Sequence, residues 1–134
     1  MRTQKVRAGL ALVAMGLVLW VAGCSFSTAN IKSAKLAADK EGTLETTVFS
    51  PDQVMYCLVQ LANAPDDTKV KADWIAVEAQ GAEPNTKIAD AEKTSGDGMI
   101  IFDLSNTQPW PTGKYKVDLY LNDKLNRTLE FQVQ

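Results

Sequence analysis

From Thr43 onward the chain alternates apolar and polar residues in short runs bounded by turn residues, and this period of two dictates extended structure. Thr43–Phe49 is rich in β-formers and is broken by Ser50-Pro51-Asp52. Val54–Leu61 puts Met55, Cys57, Val59 and Leu61 on one face, and Lys69–Glu78 does the same with Val70, Ala72, Trp74 and Ala76. Ile100, Phe102 and Leu104 share a face in Met99–Leu104, as do Tyr115, Val117, Leu119 and Leu121 in Tyr115–Leu121. Leu125, Leu129, Phe131 and Val133 alternate in Leu125–Val133, where Arg127 is the polar residue on the stripe. Ala62–Thr68, Gly81–Asn85, Ser95-Gly96-Asp97-Gly98, the proline-rich Ser105–Gly113 and Asn122-Asp123-Lys124 supply the turns. Thr86–Lys93 fits either a weak strand or a short helical turn. No segment carries a helical stripe of useful length. About seven short strands at even spacing predict an all-β, antiparallel two-sheet sandwich, with a small barrel as the alternative.

The first 23 residues follow another pattern. Met1–Arg7 carries Arg2, Lys5 and Arg7 and no acid, and Ala8–Val21 is uncharged and dominated by Leu, Val and Ala. Small residues Ala22 and Gly23 then precede Cys24. A basic head, an apolar stretch and small residues before a cleavage point are the parts of an export signal. Ala8–Gly23 is shorter than the roughly 20 residues that a spanning helix needs.

The run Val21-Ala22-Gly23-Cys24 resembles the lipobox of bacterial lipoprotein precursors. The resemblance implies cleavage between Gly23 and Cys24 and attachment of diacylglyceryl, often with a further acyl chain such as palmitate, to the new N-terminal cysteine. Two or three chains anchor stably where one binds only marginally. No other cofactor is implied. In bacteria with two membranes the residue after the cysteine often directs sorting. Ser25 in that position, rather than Asp, favours the outer membrane.

Cleavage changes the balance of the chain. Removing 23 residues from 134 leaves 111, and losing three of 14 bases against 16 acids leaves a net charge of −5. That suffices for one domain, and a mildly acidic domain lacks the basic footprint of a nucleic-acid binder. With Cys24 committed to lipid, Cys57 is left alone and no intramolecular disulfide is available. The chain has no histidine, so Ser-His-Asp and Cys-His triads and histidine metal ligands are excluded. Ser25–Gly42 is polar and reads as a flexible tether, within which Asn30–Leu36 is a candidate edge strand. The expected organisation is a cleaved signal helix over residues 1–23, a lipidated tether over 24–42 and a sandwich over 43–134.

Cys57 in the second strand, Trp74 in the third and Tyr115 near the start of the sixth resemble the cysteine, core tryptophan and corner tyrosine of immunoglobulin-like domains. Pro111-Thr112-Gly113-Lys114-Tyr115-Lys116-Val117 is similar to the tyrosine-corner run, with Val117 where antibodies carry the second cysteine. The absent bridge brings the chain nearer to the disulfide-free fibronectin type III kind. The segment with Trp110, Gly113, Tyr115, Tyr120 and Phe131 also resembles modules of uncharacterised bacterial exported proteins. That resemblance implies no catalytic residues.

The candidate sites follow from these readings. Cys24 is the lipidation site and Gly23–Cys24 the cleavage site. Cys57, Trp74 and Tyr115 are structural, Cys57 as a small buried hydrophobe rather than a reactive thiol. Trp110, between two prolines, is a candidate stacking platform or partner anchor, with a cap over the core end as the plainer reading. Tyr120 lies on the opposite face of its strand from Tyr115, beside Asp118 and Lys116, and is the second candidate binding residue. Asp66, Asp67 and Asp97 lack the spacing of a Ca²⁺ loop, so no metal site is assigned. Nothing marks a catalytic carboxylate pair. The expected function is that of a non-catalytic binding or protein-interaction module of the cell envelope, not an enzyme. It is held at the membrane by lipid, outside the cytoplasm, and meets an envelope protein or polysaccharide, with no nucleic-acid partner. An inhibitor of an envelope enzyme and a structural subunit of an envelope assembly are the alternatives.

Overall fold

A computed structural model describes residues 28–134. The signal segment, the Gly23–Cys24 junction and Ser25 lie outside the described residues. The strands are β1 (Asn30–Ala37), β2 (Val48–Phe49), β3 (Met55–Ala62), β4 (Thr68–Ala79), β5 (Thr86–Ser95), β6 (Gly98–Leu104), β7 (Gly113–Leu121) and β8 (Lys124–Val133). One sheet has the order β1-β3-β6 and the other the order β2-β8-β7-β4-β5. Neighbours are antiparallel except β2 and β8, which run parallel. This two-sheet order is an immunoglobulin-like sandwich in which β3, β4 and β7 occupy the places of strands B, C and F.

The alternating residues explain why the sheets face each other. Met55, Cys57, Val59 and Leu61 of β3 and Ile100, Phe102 and Leu104 of β6 form one inner face. Val70, Ala72, Trp74 and Ala76 of β4 and Tyr115, Val117 and Leu119 of β7 form the other. Phe131 knits the aromatic centre. It stacks on Tyr115 with ring centroids 5.4 Å apart and meets Phe49 and Trp74 edge-on at 5.6 and 6.0 Å, arrangements that add to area burial.

Two boundaries differ from the sequence reading, and one open alternative is decided. The candidate edge strand at Asn30–Leu36 is strand β1, and it moves the start of the sandwich from Thr43 to Asn30: β1 pairs with β3 from Asn30↔Ala62 to Ala37↔Tyr56 and buries Ile31, Leu36 and Ala37. The pairing slips between Ile31 and Ser33. The resulting bulge brings Ile31 and Leu36, of opposite parity, onto the same core face. Within Thr43–Phe49 only Val48–Phe49 is strand, because the segment crosses from one sheet to the other. A single bridge, Ala37↔Glu45, ties it to β1 before β2 joins β8. Thr86–Lys93 is strand rather than helical turn, paired with β4 from Thr68↔Ser95 to Ala76↔Thr86.

The ends of the sandwich are distinct. Thr28 lies at the end that holds the Asn63–Asp67 loop, the Gly96-Asp97 turn and the Asn122-Asp123 turn. Thr28 Oγ1 donates to the Asn63 carbonyl at 2.8 Å, Ala64 N–H donates to Asp97 Oδ1 at 2.6 Å, and Asn122 N–H donates to the Lys69 carbonyl at 2.9 Å. Asn122 and Asp123 both have positive φ, 48° and 70°, the two-residue turn whose twist suits a hairpin. The opposite end holds the Ser50–Val54 and Gln80–Asn85 segments, the Ser105–Thr112 loop and Gln134. There Trp110 N–H donates to the Pro51 carbonyl at 2.9 Å.

Candidate functional site

Cys57 is fully buried, and burial pushes its thiol up to about 12, the environment of an inert core cysteine. Trp74 is buried between the sheets. Tyr115 Oη donates to the Pro111 carbonyl at 2.5 Å, the geometry of a tyrosine corner. Gly113, which opens this strand, has φ +150°, and a Cβ there would run into the Glu78 carbonyl and the Ala79 backbone. Trp110 is half-buried against the core beneath its loop. Tyr120 is half-buried near the other end, on the outer face of the five-stranded sheet. The fold therefore places the two candidate binding aromatics on different surfaces.

The surroundings of Tyr120 contain the most distinctive polar arrangement. Register sets three rows across β7, β4 and β5: Tyr120–Lys71–Glu92, Asp118–Asp73–Asp90 and Lys116–Ile75–Lys87. Asp73 and Asp118 are directly opposite each other and each only 8% exposed, although they point away from the core. Like charges so placed are destabilising unless compensated. Thr128 Oγ1 donates to Asp118 Oδ1 at 2.6 Å, and the Lys116 ammonium lies 3.8 Å from Asp118 Oδ2. Lys71 is 4.0 Å from Asp73 Oδ2 and 4.6 Å from the centroid of the Tyr120 ring. Asp73 Oδ1 is buried with no hydrogen-bond partner. At the edge, Lys87 and Asp90 pair at 2.8 Å. Their hydrogen bond holds the Lys87 ammonium above its ordinary range, with Asp73 adding to the effect, and holds the Asp90 carboxyl below its own.

This face presents an aromatic ring and fixed ammonium groups over a buried carboxylate pair. Sequence reasoning reached Tyr120, Asp118 and Lys116 but missed Lys71 and Asp73. The signal was the repeated pattern Lys71-Ala72-Asp73 and Lys116-Val117-Asp118, which becomes a cross-strand cluster only once β4 and β7 are in register. Among the described residues no group of three or more His, Cys, Asp or Glu side chains is placed to hold a metal ion.

An open cleft of about 450 Å³ lies near the C-terminal end of β8, lined by Thr47, Val77, Lys114, Tyr115, Glu130, Phe131 and Gln132. Two sheet edges are guarded. Lys93 Nζ donates to the Ile101 carbonyl of β6 at 2.6 Å and lies over the Phe102 ring. Arg127 Nη2 donates to the Ile31 carbonyl of β1 at 2.6 Å. β8 forms a third partly open edge. It is covered at Gln132–Val133 by β2 and otherwise lacks a strand on that side.

No protein-family model matches the chain, and no curated protein is significantly similar to it. Solved structures share its fold. An immunoglobulin-like protein from Pseudomonas aeruginosa matches with a TM-score of 0.55 at 14% identity, over 79% of this chain and 96% of that one. The alkylpurine DNA glycosylase AlkC of Pseudomonas fluorescens, bound to DNA containing an abasic-site analogue, matches with a TM-score of 0.53 at 15% identity. That match covers 81% of this chain but only 31% of the glycosylase. Likeness at such identity is likeness of fold, and the fold hosts many functions.

Proposed function

We propose that this chain is an exported, lipid-anchored lipoprotein whose immunoglobulin-like sandwich is a non-catalytic protein-interaction module of the cell envelope. The observation that carries the reading is Val21-Ala22-Gly23-Cys24 at the end of a basic head and an uncharged apolar stretch. The lack of any histidine and the buried Cys57 agree with a binding role. Acyl chains on Cys24 confine the domain to a membrane surface and raise its effective concentration beside other envelope components. Recognition falls to the outer face of the five-stranded sheet, where Tyr120 is the aromatic anchor and the Lys71 ammonium beside its ring is the reachable donor.

Replacing Cys24→Ser is expected to abolish palmitate incorporation and leave uncleaved precursor. Labelling unchanged by the substitution rejects the anchor. A photo-crosslinker introduced at Tyr120 in cells is expected to give a discrete protein adduct. Loss of that adduct on Lys71→Ala supports the face, and an adduct indifferent to Lys71→Ala rejects it.

A further inference from the structure

We infer that the anchor fixes which end of the sandwich meets the bilayer: the Asn63–Asp67 loop with the Gly96-Asp97 and Asn122-Asp123 turns lies against the lipid headgroups, and the Trp110 end points away. The inference rests on the lipoprotein reading.

Its basis is the short distance between lipid and fold. The described chain begins at Thr28, already bonded to the Asn63 carbonyl, and Asn30 follows with its side-chain amide donating to the Ala62 carbonyl at 3.3 Å. Cys24 and Thr28 are four residues apart in sequence, which span at most about 14 Å when fully extended. β4 runs from one end of the sandwich to the other in 12 residues, on the order of 35 Å. The tether is thus far shorter than the domain is long. Had the fold begun at Thr43, as the sequence suggested, a tether of about 60 Å would have left the domain free to present any surface.

The charges of the two regions keep both from inserting into lipid, so the short tether alone sets the stance. The near end carries Asp66, Asp67, Asp97 and Asp123 at its tip, with Asp123 paired to Lys69 at 2.9 Å. Such a tip rests beside headgroups without inserting. The long outer face of the five-stranded sheet is laced with ion pairs, so it gains nothing by lying flat on lipid. The upright stance leaves that face reachable from the side. It leaves the cleft beside Lys114 and Glu130, together with exposed Val48, open to partners approaching from the aqueous compartment.

The test uses the full-length lipidated protein in neutral phosphatidylcholine vesicles that contain a nitroxide-headgroup lipid. Asp67→Cys and Gln108→Cys place a fluorophore at the near and far ends, both at exposed positions. Maleimide at neutral pH leaves buried Cys57 unlabelled. Emission from the Asp67→Cys label is expected to be quenched, and emission from the Gln108→Cys label to remain as in nitroxide-free vesicles. Equal quenching of both, or quenching of the far label alone, overturns the inference. Mass spectrometry of the Cys24 peptide separates the two levels of the argument. A peptide without lipid rejects the lipoprotein reading, whereas a lipidated peptide with equal quenching rejects the orientation only.

Discussion

At the scale of single residues, two buried groups carry measurable consequences. The Tyr115 hydroxyl donates to the Pro111 carbonyl and pins the Ser105–Thr112 loop to the start of β7. Tyr115→Phe keeps the ring stacked on Phe131 and removes only this bond. It is expected to cost about 1 kcal/mol, read as a lower urea midpoint with an unchanged m-value. Cys57 acts through pH. Burial raises the folded thiol to about 12 from an unfolded value near 9.0. Below pH 9 both states hold the proton and stability does not depend on it. Between pH 9 and 12 the unfolded chain releases a proton that the folded chain keeps, so stability falls as pH rises through this window. Cys57→Ala is expected to fall less steeply over the same range when urea unfolding is followed at several alkaline pH values. An identical slope in both proteins would falsify the burial argument, whatever the absolute cost of the cavity.

At the scale of elements, the joint between β1 and β8 is held by one cation. Arg127 stands at an inward position opposite Leu119, yet its guanidinium reaches across to the Ile31 carbonyl beside the β1 bulge and also donates to Asn126 Oδ1. Arg127→Met retains the apolar stem and loses the donor. The expected loss is roughly 1.5–3 kcal/mol, the range for hydrogen bonds to charged groups, with amide exchange accelerated first at Ile31 and its neighbours. The same element shows where sequence reading stops. In β3, β4, β6 and β7 one face is buried along nearly the whole strand, so alternation alone exposes Met55, Trp74, Phe102 and Val117 as core. In β1 the bulge at Lys32 flips parity between Ile31 and Leu36, and the apolar positions cease to line up at a spacing of two. In β5 the residues packed against the core are Ile88, Ala89 and Ala91, and an irregularity in the pairing beside Ile88 breaks their spacing of two. The Asp73–Asp118 pair was hidden for another reason. Each strand reads as an ordinary polar outer face, and only the register between them creates the like-charge contact.

At the scale of the molecule, where the domain begins decides both its stability and its placement on a membrane. A fragment starting at Thr43, the boundary that composition suggests, lacks β1. It loses the burial of Ile31 and Leu36, each roughly 1.5–3 kcal/mol, and seven residue pairs along β3. It also exposes the edge of β3 and strips Arg127 of its acceptor on Ile31. Against a domain stability of about 5–15 kcal/mol, these losses remove most of the margin. The fragment from Thr43 is therefore expected to lack dispersed amide resonances and a cooperative melt, whereas one starting at Thr28 folds with both. A cooperative melt from the shorter fragment would show that β1 is an accessory strand. The short-tether geometry would fail with it, because a dispensable β1 can peel from β3 and lengthen the reach between lipid and fold. A cooperative melt confined to the longer fragment makes the first strand both part of the core and the point from which the anchor holds the sandwich.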